Sequence, residues 1–285
     1  MRLSIEQLIR QSSQQLAESS DTAKLDVELL LARCLNKDRT YLFTWCDKLV
    51  SAEEECAFND LFTRRLKGEP IAYILGQQEF WDITLNTAAH TLIPRADTET
   101  LIDWVLELAD NLPNNTKAID LGTGTGAIAL VLASEFPQWQ VQGVDLIPQA
   151  VALAQQNAKL NNLERVQFYQ SSWFDNVVGQ FDLIVSNPPY IDPADEHLSQ
   201  GDVRFEPKSA LVADNKGLAD LELIAQHGRD YLVEGGWLLM EHGYDQQDAV
   251  QKILIELGYQ QVSTRIDLGG NPRITAGQFY RGAAS

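Results

Sequence analysis

The chain has 285 residues, 45% of them hydrophobic, enough for one large or two ordinary cores. Its 22 Lys and Arg face 40 Asp and Glu, and the net charge of −18 argues against non-specific affinity for nucleic acid, because duplex binders draw that affinity from cations on phosphates. No apolar run approaches the ~18 residues that span a membrane, the polar start lacks the apolar core of a signal peptide, and Cys34, Cys46 and Cys56 show neither paired nor CxxC spacing, so we expect a cytoplasmic protein with buried free thiols and no zinc site.

Residues 1–75 read as helices only, with a nearly balanced 10 basic and 12 acidic residues, so most of the negative charge lies beyond them. Ser4 with Gln7 and Ser51 with Glu54 have capping-box spacing. Asp21 is expected to cap the second helix, whose apolar face includes Leu25, Val27, Leu30 and Leu31. Tyr41 to Trp45 suggest a short aromatic third helix, and Gly68 with Pro70 ends a fourth. This bundle carries no catalytic-looking cluster and suits docking of a macromolecular partner.

Residues 76–94 change character. Phe80–Leu85 is expected as one strand and Thr91–Ile93 as its return, a hairpin linking the bundle to a second domain over residues 95–285. Pro94 to Glu99 opens a helix, and Arg95 and Glu99, four apart, have the spacing of an ion pair. From Lys117 onward apolar strands alternate with helices. That order implies α/β architecture, a parallel doubly wound sheet whose ligands bind at the carboxyl ends of the strands. The polar stretch from Tyr190 to Gly217 is long for a loop in a compact domain, which marks it as functional or disordered.

Two constellations carry chemistry. The first is Asp120-Leu121-Gly122-Thr123-Gly124-Thr125-Gly126, a strand-to-helix turn in which glycines admit a ligand closely and the helix start offers N–H groups to an anion. Its GxGxG spacing after an acidic residue departs from the GxGxxG of dehydrogenases and suits a zwitterion. Asp145, at the end of the next strand, can accept both hydroxyls of a ribose, or serve as a helix cap. An amine, a carboxylate and an unphosphorylated ribose together describe S-adenosylmethionine. The second is Asn187-Pro188-Pro189-Tyr190, after the apolar run Phe181–Val185. The prolines stop the sheet, and the Asn187 amide and Pro188 carbonyl are free acceptors beside a flat ring. This is either a strand-ending turn or a receptor for a planar –NH2 group.

With those residues in view, the chain resembles class I S-adenosylmethionine-dependent methyltransferases of the Asn-Pro-Pro-Tyr type. More narrowly, it resembles the release-factor glutamine N5-methyltransferases, the HemK/PrmC family. The resemblance runs through Gly68-Glu69-Pro70, Leu92-Ile93-Pro94-Arg95 with Thr98-Glu99, the two motifs above, Phe205-Glu206-Pro207 with Ala210-Leu211, and Gly217-Leu218. It implies a seven-stranded Rossmann-like methyltransferase sheet behind a small all-helical N-terminal domain that docks substrate. It implies methyl transfer to the glutamine amide of the Gly-Gly-Gln loop of peptide chain release factors, with S-adenosylhomocysteine as product. By motif position, Asp120 and Gly122 to Gly126 take the methionine part, Asp145 the ribose and Trp173 the adenine. Asn187 touches cofactor and substrate, and Pro188, Pro189 and Tyr190 frame the amide, with Tyr190 packed on its plane. Trp173 could equally be a core aromatic on sequence alone. The same receptor would accept adenine N6 or guanine N2, so a nucleic-acid amino methyltransferase is the alternative, disfavoured by the acidic charge. An adaptor that binds cofactor without turnover is a third reading. We expect a monomer, no membrane contact and no metal; His90, His197, His227 and His242 have no ligand spacing.

Overall fold

The computed structural model describes residues 2–282; residues 1 and 283–285, the outer ends of the two expected domains, lie outside it. The chain divides into two compact units, one comprising residues up to Gly76 with His197–Phe205, the other Gln77–Glu196 with the residues from Glu206 onward.

The first unit is helical: α1 (Ile5–Leu16), α2 (Ala23–Leu35), α3 (Arg39–Thr44), α4 (Ala52–Leu66) and α5 (Ile71–Leu75). Ser4 and Ser51 both complete reciprocal capping boxes, each hydroxyl accepting the N3 backbone N–H while the Gln7 or Glu54 side chain accepts the serine N–H. Apolar residues at helical spacing, among them Leu8, Val27, Leu30, Leu31, Phe58 and Phe62, converge on one core. Asp21 does not cap α2. Thr22 takes that position, and the loop hydroxyls of Ser20 and Thr22 donate inward to Asp26. Asp26 is itself buried and receives Arg65 Nε at 2.8 Å, while Arg65 Nη1 reaches Asp202 at 2.9 Å. The three cysteines are free, but they are not buried as expected. Cys56 is exposed and Cys34 and Cys46 partly so.

The second unit opens with a two-stranded hairpin, β1 (Gln77–Phe80) and β2 (Ile83–Asn86). Phe80 pairs with Ile83, so the expected strand Phe80–Leu85 is broken by a two-residue turn whose first residue, Trp81, has φ +55°. Thr91–Ile93 forms no return strand. The outer edge of β2 is already satisfied, since the backbone of Thr84 and Asn86 pairs with the side-chain amides of Asn161 and Asn157.

A 3-10 turn, Ala96–Thr98, leads into α6 (Glu99–Ala109). Then come β3 (Lys117–Leu121), α7 (Ala127–Glu135), β4 (Gln140–Asp145), α8 (Pro148–Leu160), β5 (Gln167–Gln170), β6 (Phe181–Ser186), the helix Ala219–Tyr231, β7 (Leu232–Glu241), the helix Gln247–Glu256, β8 (Gln260–Ile266) and β9 (Pro272–Gln278). The seven-stranded sheet has the order β5-β4-β3-β6-β7-β9-β8. The first five strands in that order run parallel, as expected. The sheet is not parallel throughout, because β9 lies antiparallel between β7 and β8. The connection from β8 to β9 is far too short for a parallel crossover, and it makes a hairpin.

Strand alternation builds both layers. Ala118, Leu183, Val185 and Leu239 face α6, α7 and α8, while Ile119, Leu121, Ile184 and Leu238 face the helices Ala219–Tyr231 and Gln247–Glu256. α7 is apolar on every side and buried from Ala127 to Ala133, which fixes its N-terminus rigidly against the end of β3. The stretch from Tyr190 to Gly217 is ordered by three short 3-10 turns and a bridge between Ile191 and Val212. Among the described residues no helix is long and apolar enough to cross a membrane.

Candidate active site

A cavity opens where β3, β4 and β6 end, at the point where the sheet order reverses. Gly122, Thr123, Gly124, Thr125, Asp145, Trp173, Asn187 and Pro189 line it, so the structure brings both sequence motifs to one place.

The glycine turn has φ values of +72°, +55° and +85° at Gly122, Gly124 and Gly126, a left-handed sequence that residues with a Cβ adopt only at a cost. Four of the N–H groups from Gly122 to Gly126 are spent internally. Gly122 and Thr123 donate to Val144 O, Gly124 to Asp145 Oδ2 and Gly126 to Thr123 O. The donors that face the cavity for an anion are those of Thr125, Ala127 and Ile128, at the start of α7, while the Ala129 N–H is directed at Asp120. Asp145 accepts Gly124 N–H and Ile147 N–H, both at 2.9 Å, one on each oxygen. Burial pushes its carboxyl above the usual range, opposed by those two donors and by His90 nearby.

Asp120 lies beneath the turn and does not line the cavity. It is 1% exposed, accepts the Thr123 hydroxyl at 2.6 Å on Oδ2 and has no partner on Oδ1. Desolvation pushes its carboxyl up to about 7 against the Thr123 bond and the nearby Ala129 N–H, and the charge of Asp145 adds to the rise. Gly126 also sits behind the lining, against Ala154 and Phe168. Trp173, at φ +46°, lays its ring beside Gly122, where a Cβ would stand 3.4 Å from Cζ3. Ser171, Ser172 and Asp220 line the same end.

Asn187 follows β6 directly. Its Nδ2 donates to Thr98 Oγ1 at 3.1 Å, Thr98 donates to Glu241 Oε2 at 2.6 Å, and Tyr190 donates to Glu241 Oε1 at 3.2 Å. Pro188 has a buried ring, and Tyr190 packs against the core below rather than lining the cavity. The Tyr190 hydroxyl is held by Glu241, which fixes the ring beside Asn187 and Pro188. Arg95 does not pair with Glu99. Both oxygens of the buried Glu206 receive Arg95 Nη2, and Glu99 accepts the backbone N–H of Trp81. A fully desolvated carboxylate commands the guanidinium more strongly than a solvated neighbour one helical turn away.

Sequence reasoning missed His90, Asp220 and Glu241. Glu241 had a faint signal, an acidic residue closing the apolar run Trp237–Met240. Nothing local marks His90 or Asp220. Among the described residues no group of three or more His, Cys, Asp and Glu side chains is placed to hold a metal ion.

This geometry can bind a ligand with an anionic end at α7 and a diol at Asp145, and it presents an amide oxygen at Asn187 to an N–H donor. Residues 7–76 match the family described as the PrmC N-terminal domain, and residues 103–206 the methyltransferase small domain. The chain is 53% identical over 283 residues to the release factor glutamine methyltransferase of Aliivibrio fischeri, covering 98% of this chain and 99% of that one. It is 50% identical to the protein so named in Vibrio cholerae, with 98% of each covered, and 44% identical to that of Escherichia coli, with 96% and 98% covered. A solved methyltransferase from Pyrococcus furiosus shares the fold with a TM-score of 0.53 at 18% identity, over 77% of this chain and 98% of that one.

Proposed function

The chain belongs to the release factor glutamine methyltransferases, and we propose on that footing that it methylates the side-chain amide nitrogen of the glutamine in the Gly-Gly-Gln loop of peptide chain release factors. It is an S-adenosylmethionine-dependent enzyme, and the residues present fit that cofactor. The N–H groups of Ala127 and Ile128 at the start of α7 suit the methionine carboxylate, Asp145 keeps lone pairs for ribose hydroxyls, and Trp173 offers a flat face. Thr123, Gly124 and Thr125 would lie along the methionine part. Asp120, sealed beneath, holds the turn through Thr123. When bound, the cofactor supplies an electrophilic methyl on sulfonium sulfur.

The observation that carries this reading is the Asn187–Thr98 bond. With Nδ2 given to Thr98, Asn187 Oδ1 has no partner among the described residues. An amide nitrogen is a poor nucleophile because its lone pair is delocalised. Asn187 Oδ1 and the Pro188 carbonyl can each accept one of its N–H groups, fixing the nitrogen toward the cavity and favouring the positive charge it acquires. Proximity and orientation supply roughly 7–11 kcal/mol in well-aligned systems, which suits a site without a strong base. The helical unit is the proposed docking module. The protein would work as a cytoplasmic monomer without touching nucleic acid, consistent with its charge of −18.

The test offers the purified protein radiolabelled S-adenosylmethionine with a release factor, its Gly-Gly-Gln Gln→Ala variant, and bulk DNA and RNA. Label should enter the wild-type factor alone. Label on nucleic acid with none on the factor overturns the proposal. Asn187→Ala should keep cofactor binding and lose roughly two to three orders of magnitude in turnover.

A further inference from the structure

The polarity of the Asn187 amide is set from behind. Thr98 is 4% exposed and Glu241 1%, and they join in a chain from Asn187 Nδ2 to Thr98 Oγ1 to Glu241 Oε2, at 3.1 and 2.6 Å. An ionised carboxylate only accepts hydrogen bonds, and a hydroxyl has one hydrogen. The Thr98 hydrogen is therefore committed to Glu241, its oxygen can only accept, and Asn187 must turn Nδ2 toward it. Oδ1 is left to the cavity. We propose that Thr98 and Glu241 are positioning residues that fix the polarity of the Asn187 amide and so restrict the acceptor to a group bearing N–H donors. This rests on the reading of Asn187 as the acceptor clamp.

Reversal of the chain would invert the clamp. A protonated Glu241 donates to Thr98, Thr98 then donates to Asn187 Oδ1, and Nδ2 faces the incoming amide hydrogen to hydrogen. The groups around Glu241 are Thr98 and Asp97 from the 3-10 turn, the Tyr190 hydroxyl, and Arg273 on β9, which also pairs with Asp97 and Asp267 at 3.2 and 3.3 Å. Burial pushes the Glu241 carboxyl up to about 7, with Arg273 and the two hydroxyls pulling the other way. Turnover should therefore fall as pH drops through about 7 while cofactor affinity holds.

The experiment measures kcat, KM and S-adenosylmethionine affinity on a release factor for wild type, Thr98→Val, Thr98→Ser and Glu241→Gln across pH. Thr98→Val, which keeps shape but loses both bonds, should lower kcat roughly 30- to 100-fold, leaving KM and cofactor Kd within about three-fold. Thr98→Ser should restore it. Glu241→Gln cannot ionise, so the acidic limb near pH 7 should vanish from its kcat profile even where its maximum is lower. Thr98→Val turnover within about three-fold of wild type overturns the proposal, as does an unchanged limb in Glu241→Gln. The Gln profile decides alone should the Val chain not fold. A wild-type enzyme that leaves the release factor unlabelled sinks the functional reading itself, whereas an active wild type with equally active variants sinks only this inference.

Discussion

Asp145 and Gly124 hold one another: Oδ2 accepts the glycine N–H at 2.9 Å, and Oδ1 accepts from Ile147 at the same distance. The carboxylate proposed for the ribose thus also sets the crest of the glycine turn. Asp145→Asn leaves one oxygen to accept and turns an NH2 toward the other backbone N–H. Hydrogen bonds to charged groups are worth about 1.5–3 kcal/mol, so S-adenosylmethionine Kd should rise roughly 10- to 100-fold by calorimetry. An affinity within about two-fold of wild type would show that Asp145 faces no cofactor.

The glycines of the turn differ in what they exclude. A Cβ on Gly126 would stand 3.1 Å from both Ala154 Cβ and Phe168 Cζ, at φ +85°, whereas one on Gly124 meets nothing within 4 Å at φ +55°. Gly126→Ala should lose the backbone term of about 1–2 kcal/mol plus about 1–3 kcal/mol of overpacking, and Gly124→Ala the backbone term only. The melting temperature should fall further for Gly126→Ala, by about 2–4 °C for each extra kcal/mol. Gly124→Ala should instead lose cofactor affinity, because its methyl enters the cavity. Equal melting shifts in the two variants would contradict the packing argument.

What was legible in the sequence was local. The apolar runs around Asp120, Asp145 and Ser186 named their strands, and the glycine spacing with Asp145 in step named a ligand before any fold was known. What failed was set by distant partners. Trp81 and Asp82 look like strand residues, and only the pairing of Phe80 with Ile83 makes them a turn. Arg95 had a plausible partner four residues away, yet takes Glu206, 111 residues on. Thr98 and Glu241, 143 residues apart, meet only because α6 packs beside the end of β7. The motif gave no sign that the Tyr190 hydroxyl meets that same buried acid, 51 residues on.

The Arg65 cluster gives a stability prediction for the helical unit. Arg65 and Asp26 side chains are 8% and 6% exposed, while Asp202 is 43% exposed. Arg65→Met takes the counter-charge from a buried Asp26 that keeps only the Ser20 and Thr22 hydroxyls, at a cost of about 3–5 kcal/mol. Asp202→Asn weakens only a half-exposed pair, worth under about 1 kcal/mol. Hydrogen exchange over Ala23–Leu35 and Ala52–Leu66 should show protection reduced roughly 100-fold or more in Arg65→Met and only a few-fold in Asp202→Asn. Similar losses in both would mean that Asp26 is not held by Arg65.

Asp120 should make the folded protein less stable as pH rises toward neutrality. Burial lifts its carboxyl from 3.8 to about 7. Below about pH 4 both folded and unfolded chains hold the proton. Between about 4 and 7 the unfolded chain has released it and the folded chain has not, so the folded state binds more protons and unfolding free energy falls as pH rises, by up to about 1.4 kcal/mol per pH unit. Above about 7 both states are ionised and the contribution is flat. Glu241, raised from 4.5 to about 7 by the same desolvation, adds a slope of the same sign. Asp120→Asn keeps an oxygen for the Thr123 hydroxyl and removes the titration. Urea unfolding at about pH 5, 6 and 7 should therefore show the variant gaining on wild type by up to about 1.4 kcal/mol per unit, with the Glu241 slope left in both. A difference between the two proteins that stays constant across that range would mean Asp120 is ionised in the fold, its Oδ1 charge met by a partner other than Thr123.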